Sequence, residues 1–343
     1  MIARLVKQWA LGALVVSLVA AWAAPALAQT KTGTTMGAFL QIEPSGRLAA
    51  MGNVGVAMAE GIDAVYYNSG SVAGVDHYEV TFTHSSWLAD IRYDYVAGAI
   101  PMGKWGNAYA AVTSLNSGEM TVRTVDQPLG TGERFSVSDV GIALGFGKQI
   151  TDRFSAGAQV TYAQESIWHS TAAAITLSVG TIYQVSDHGL HIGASLTNFG
   201  TQTGYDGRDL RVTYDQDPSR NGDNGTLPGE VVTGDFPVPV LFRVGIGAPF
   251  QLSPSARLTL EADALHPNDN SGSMSFGSEL LLNRQFALRA GFQNAFRTDS
   301  EEGLTAGAGF ASHYGNIQYH VDYAWADHGR LGSVSRFALG FGF

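Results

Sequence analysis

The chain has 343 residues, 42 of them glycine and none cysteine; 45% are hydrophobic and only 15% charged. The missing cysteine excludes a disulfide scaffold, a thiolate metal centre and a thiol nucleophile. A net charge of −10 excludes a nucleic-acid partner, which needs basic residues against phosphate. In chain order, Met1 to Ala28 comes first: Arg4 and Lys7, an apolar run from Leu11 to Ala24, then Ala26-Leu27-Ala28. This is the pattern of a secretory signal peptide cleaved before Gln29. No other stretch is long and apolar enough for a transmembrane helix.

Residues 29–77 form a separate segment that does not alternate. It is rich in small residues, is too short for a core of its own, and suits folding into the lumen of a barrel as a hatch. From residue 78 to 343 the dominant period is two. Ile317, Tyr319, Val321, Tyr323 and Trp325 oppose Gln318, His320 and Asp322; Phe286, Leu288, Ala290 and Phe292 oppose Arg289 and Gln293. In Ile91 to Ala97 the apolar set is Ile91, Tyr93, Tyr95 and Ala97, against Arg92 and Asp94. Alternation puts one face in an apolar medium and the other in a polar one. The segments run to about 10–14 residues, enough to cross a bilayer at a tilt. The chain ends on an aromatic strand in which Phe337, Leu339, Phe341 and Phe343 share a face.

These features predict an all-β, antiparallel transmembrane barrel of about fourteen strands with an N-terminal lumen plug, in the bacterial outer membrane. The predicted strands are 78–88, 91–101, 105–116, 136–149, 153–167, 170–185, 190–200, 237–250, 256–266, 272–282, 285–296, 303–313, 317–326 and 334–343. Their connections alternate between short turns and a side that carries the long loops 117–135 and 201–236. Residues 119–126 read as either another strand or a loop extension. Phe341 and Phe343 resemble the terminal aromatic signal of barrels handled by the barrel-assembly machinery. Lipid of the outer membrane is the first expected partner.

The polar face supplies candidate lumen residues of both signs: Arg92, Asp94, Arg243, Arg257, Glu261, Asp263, Arg289, His320, Asp322 and Arg336. Opposite charges on neighbouring strands can neutralise one another, which suggests a wet or plugged interior and not a single-sign ion filter. Chemistry is otherwise scarce. The near phosphate-loop at Gly141 to Gln149 has the wrong glycine spacing and lacks the Ser/Thr, and neither a His-Glu-x-x-His nor a Gly-x-Ser-x-Gly motif occurs. His188 and His191 lack a third ligand, and the acidic run Asp215, Asp217, Asp223 has Arg220 where a calcium loop needs glycine. His320 with Asp322 could mimic half of a hydrolytic set. No catalytic residue, metal ligand or cofactor is expected.

Within the N-terminal segment, Gly46-Arg47, Ala49, Met51-Gly52, Ala57 and Tyr66-Tyr67-Asn68 resemble the signature of the PorV/PorQ family, related to FadL-type channels. Trp87 with Tyr93 and Tyr95 is similar to that family's first strands. The signature usually continues Asn-Pro-Ala-Gly; here it reads Asn68-Ser69-Gly70-Ser71. The resemblance implies a fourteen-stranded barrel with an N-terminal hatch built on Gly46, Arg47, Met51, Gly52, Asn68 and Gly70. It further implies a non-enzymatic role in type IX secretion, with secretion components or exported cargo as partners. The alternative it implies is a FadL-like passive channel for hydrophobic small molecules, which an apolar pocket under the outer loops would favour. A third reading is adhesion through loop 201–236. Read from its own chemistry, Arg47 suits pairing with a lumen carboxylate and Asn68 suits stabilising a turn.

Overall fold

The computed structural model describes residues 33–58, 61–186, 189–215, 217, 219, 226–297 and 300–343. The predicted signal peptide and His188 lie outside the described residues. The barrel strands are β1 (Glu79–Ser86), β2 (Arg92–Pro101), β3 (Asn107–Thr121), β4 (Arg134–Thr151), β5 (Phe154–Ile167), β6 (Ser170–Gln184) and β7 (His191–Gly200). They continue with β8 (Leu241–Ser253), β9 (Ala256–Pro267), β10 (Ser273–Leu282), β11 (Phe286–Ala295), β12 (Leu304–Tyr314), β13 (Ile317–Asp327) and β14 (Ser333–Gly342). Each pairs antiparallel with its chain neighbours, and β1 pairs with β14 from Glu79↔Gly342 to Ser86↔Ser335. With fourteen strands joined in a ring, no strand edge is left to be satisfied by water.

The outer face is apolar along the middle of the strands. Phe82, Val112, Ile142, Leu144, Val160, Ile175, Ile246, Leu288 and Phe337 all stand exposed, with Leu144 at 65%. A belt of this extent is stable against hydrocarbon and not against water. Aromatic side chains mark its borders, among them Tyr78, Trp105, Tyr314 and Phe343 at the end where β1 begins and β14 stops.

At that end the connections are short: 102–106, 152–153, 185–190, 254–255, 283–285 and 315–316. We call it the short-turn rim. The opposite, long-loop rim carries 122–133 and 201–240. Residues 119–121 turn out to continue β3, paired with 134–136 across a bulge, so no extra strand forms there. Within 201–240 lie a two-residue strand, Asp206–Gly207, on β6, a hairpin of Arg211–Tyr214 with Leu227–Glu230, and a bridge from Thr203 to Phe236.

The segment ahead of β1 bonds to inward-facing residues around the ring. Among its described residues it contains one short α-helix, α1 (Gly46–Ala49), capped by Ser45, whose hydroxyl accepts from Leu48 N–H at 3.2 Å. A longer 3-10 stretch, Ser69–Gly74, lies against β4, β5 and β6. Its apolar side chains are almost all buried: Met36, Phe39, Leu48, Met51, Val54, Val56, Tyr67 and Val72.

That burial corrects one expectation. On β2 it is Tyr93, Tyr95, Ala97 and Ala99 that face inward, packing with Ile62, Val65 and Val72 of the segment. Arg92 and Asp94 therefore point away from the lumen, and Asp94 Oδ1 lies 2.7 Å from His84 Nδ1 on the outer side. Period two identifies two faces but not which of them is inside. Here apolar side chains of the N-terminal segment, and not water, meet the inner wall.

Candidate functional site

Three structures built by the barrel and the N-terminal segment could carry function: a close-packed bed, an ion-pair circuit and an apolar route.

The bed is made by inward-facing glycines. A Cβ at Gly157, Gly193, Gly277 or Gly291 would collide with the backbone of Ser69, Val56, Met51 and Gly52 respectively. The strands thus admit the segment's main chain where any side chain would hold it off. Gly52 itself has φ +71° and donates its N–H to Thr305 Oγ1 at 2.8 Å.

Carboxylates of β9 then take up main-chain donors that a buried loop leaves free. Asp263 Oδ2 accepts from Gly55 N–H at 2.9 Å and Val56 N–H at 3.3 Å; Glu261 Oε1 accepts from Ala57 and Met58 N–H at 2.8 and 3.1 Å. Asn68, fully buried, donates to the carbonyls of Val56 (2.8 Å) and Thr181 (2.9 Å) and accepts from Gly70 N–H at 2.9 Å. These bonds answer the demand that buried backbone polar groups be satisfied.

The ion pairs start at Arg47 on α1, which grips Glu279 of β10 through two bonds of 3.0 and 2.9 Å. Glu279 also accepts from Arg289 of β11 at 2.7 Å, and Arg289 reaches Asp322 of β13 at 2.5 Å. His320 Nε2 lies 3.8 Å from Asp322 Oδ2 and 3.1 Å from Asp63 Oδ2. These residues line a cleft of about 310 Å³ at the short-turn rim, together with Arg257 and Arg284.

Two other predicted lumen residues sit elsewhere. Arg243 is buried beside the rings of Tyr66 (5.2 Å) and Tyr67 (5.8 Å), and Arg336 beside Trp87 (5.1 Å). Both act on Glu43 of the segment. Burial pushes its carboxyl above the usual range, Glu302 adds to this, and the two arginines offset it only in part.

Of the predicted hatch residues, Gly46 approaches Ala338 of β14, Met51 is buried and Gly70 lies against the Gly180 carbonyl. Sequence reasoning missed Glu279 and Asp63, which join the predicted arginines and His320. Glu279 had a readable signal: it shares parity with Ser273 and Ser275, opposite Met274 and Phe276.

The apolar route begins under the long loops. Phe135, Ile167, Trp168, Tyr205, Leu210 and Phe236 line a pocket of about 470 Å³, with Arg123 and Asp209 among its few polar neighbours. Tyr205 and Phe236 in turn pack on a buried cluster of Met36, Phe39, Leu40, Ala163, Ala172, Ala174 and Val238. Beyond Phe39 and Leu40 lies a small enclosed cavity of about 40 Å³, walled by Tyr66, Tyr93 and Tyr95. Its far wall includes Ser178, Val179, Thr197 and Asn198, where the β6–β7 ladder is broken by a register shift and Asn198 has φ +61°.

The closed ring, the lipid-facing belt and the packed interior define a fourteen-stranded β-barrel of the bacterial outer membrane. No protein-family model and no curated protein matches the sequence. Solved structures do resemble it. The toluene transporter TbuX of Ralstonia pickettii is 14% identical, with a TM-score of 0.53 over 88% of this chain and 98% of that one. The toluene transporter TodX of Pseudomonas putida is 12% identical, with a TM-score of 0.53 over 88% and 98%. A monoaromatic hydrocarbon channel, CymD, is 12% identical, with a TM-score of 0.51 over 87% and 96%. At such identity the likeness is one of fold.

Proposed function

We propose that this chain is a passive channel for small hydrophobic molecules, with the loop pocket as its entry site and the N-terminal segment as a plug. The observation that carries this reading is the apolar pocket itself: its walls Tyr205 and Phe236 pack directly on a buried apolar cluster, with the Glu165 carboxylate, which accepts from the Tyr205 hydroxyl at 2.7 Å, beside the junction. An apolar solute moving into it leaves water, worth about 25 cal/mol per Å² of surface covered. Aromatic walls add ring contacts of about 0.5–1.5 kcal/mol each for an aromatic solute. The break in the β6–β7 ladder beside the inner cavity is a second feature such a channel can use. Likeness to the hydrocarbon channels supports the reading at the level of fold.

Trp168 provides the test. Titrating toluene into purified barrel should change its fluorescence saturably, Trp168→Ala should abolish that response, and deletion of the gene should slow uptake of aromatics. A linear, non-saturating response with unchanged uptake overturns the proposal. The secretion reading rests on the Gly46 to Asn68 signature together with the terminal aromatic strand and has less support. It would be restored if tagged protein brought down secretion components or cargo from native membranes.

A further inference from the structure

The ion pairs of the short-turn rim form a circuit that starts and ends on the N-terminal segment. Arg47, Glu279, Arg289, Asp322, His320 and Asp63 alternate in sign, and only the four central residues belong to the wall. The wall is shaped for it. A Cβ at Gly309 of β12 would overlap Asp322 and Arg289, and one at Gly340 of β14 would overlap the His320 ring.

The two attachments to the segment differ in kind. The Arg47 end is a two-bond guanidinium–carboxylate pair, charged at every physiological pH. The Asp63 end depends on one imidazole, whose ordinary titration falls near pH 6.5.

We propose that His320 is a pH-dependent latch that holds the 61–63 turn of the plug to β13. Protonated, His320 presents its Nε2 to both Asp63 (3.1 Å) and Asp322 (3.8 Å) and completes the alternation. Neutral, it leaves two carboxylates converging on one uncharged nitrogen, and the turn loses its ionic hold while Arg47 keeps α1 in place.

The other charged groups around the site do not replace the missing cation. Glu79 of β1 holds Ile62 N–H at 2.8 Å and adds a third negative charge, with His77 3.6 Å from its other oxygen. Arg47 and Arg289 are committed to Glu279 and Asp322, while Arg257 and Arg284 line the same cleft. Asp63 stays ionised through the relevant range. Burial pushes its carboxyl up, but the His320 contact and charge, with Thr81 and Arg47, bring it below the usual value.

The latch is independent of what the barrel transports, so its test needs no ligand. Ion conductance of the full-length mature barrel in planar bilayers reads displacement of the plug. The interval from pH about 5.5 to about 8 is the one over which an imidazole gives up its proton. Wild type should rise about three- to fivefold in open probability over that interval, the size a partly buried ion pair supports. His320→Ala should be high at both values, and His320→Lys, a fixed cation, low at both. Heat-modifiable gel migration checks that each variant has closed its barrel. Flat wild-type conductance across the interval overturns the proposal without any variant, as does a His320→Lys barrel that still opens at high pH.

Discussion

Asn68 holds three main-chain groups with one buried amide, two carbonyls from different elements and the N–H of Gly70. Removing the amide leaves buried partners unpaired, at about 1–3 kcal/mol for each that finds no water. Asn68→Ala should therefore lower the unfolding free energy by about 2–4 kcal/mol, read as a lower urea midpoint for the barrel in detergent; an unchanged midpoint would refute the assignment. The role of Asn68 as a turn former was legible from residue type and spacing. The role of Gly157 was not, because a glycine in an alternating strand looks the same whether it faces lipid or another backbone. Gly157→Ala would drive its methyl into the Ser69 backbone, whereas Gly74→Ala meets nothing within 4 Å. The first should expose the plug to protease and the second should not.

The strands themselves were legible because lipid enforces period two along nearly every one. Where the inner medium is also apolar the pattern loses its sense of direction, and β2 is the case in point. Tyr93 donates its hydroxyl to the Ile42 carbonyl at 3.0 Å, so the aromatic face belongs to the interior. On β4 the outward residues Val140, Ile142 and Leu144 are exposed in mid-strand. Ile142→Arg should destabilise the folded barrel by about 2–4 kcal/mol, the penalty for a cation at bilayer mid-depth. Asp94→Ala, nearer the rim and partly exposed beside His84, should have a far smaller effect. Comparing the two by reversible urea unfolding in lipid vesicles tests the assignment of faces; equal effects would contradict it.

At the scale of the whole molecule, the apolar pocket was invisible in sequence. Phe135, Trp168, Tyr205 and Phe236 come from the start of β4, the β5–β6 turn and the loop that follows β7, and only ring closure brings them together. The same closure separates two stabilities that respond differently to acid. The strand ladder consists of backbone hydrogen bonds, which do not titrate, whereas the N-terminal segment is held in part by carboxylates. Asp63 gives the sign. Its carboxyl is lowered in the folded protein, because the His320 contact and charge outweigh the upward push of burial. While His320 keeps its proton, the docking energy Asp63 supplies is therefore fully present above its unfolded value of about 3.9 and lost as pH falls through the lower folded one. Conductance of the bilayer-inserted barrel should rise when pH is brought from about 5 to below about 3, while the folded form still migrates anomalously on an unheated gel. Asp63→Asn should remove this acid limb and leave the gel shift intact. If conductance stays flat through that range in wild type, Asp63 does not hold the plug. If the gel shift is lost along with it, plug and barrel unfold as one unit and the separation argued from their bonding fails.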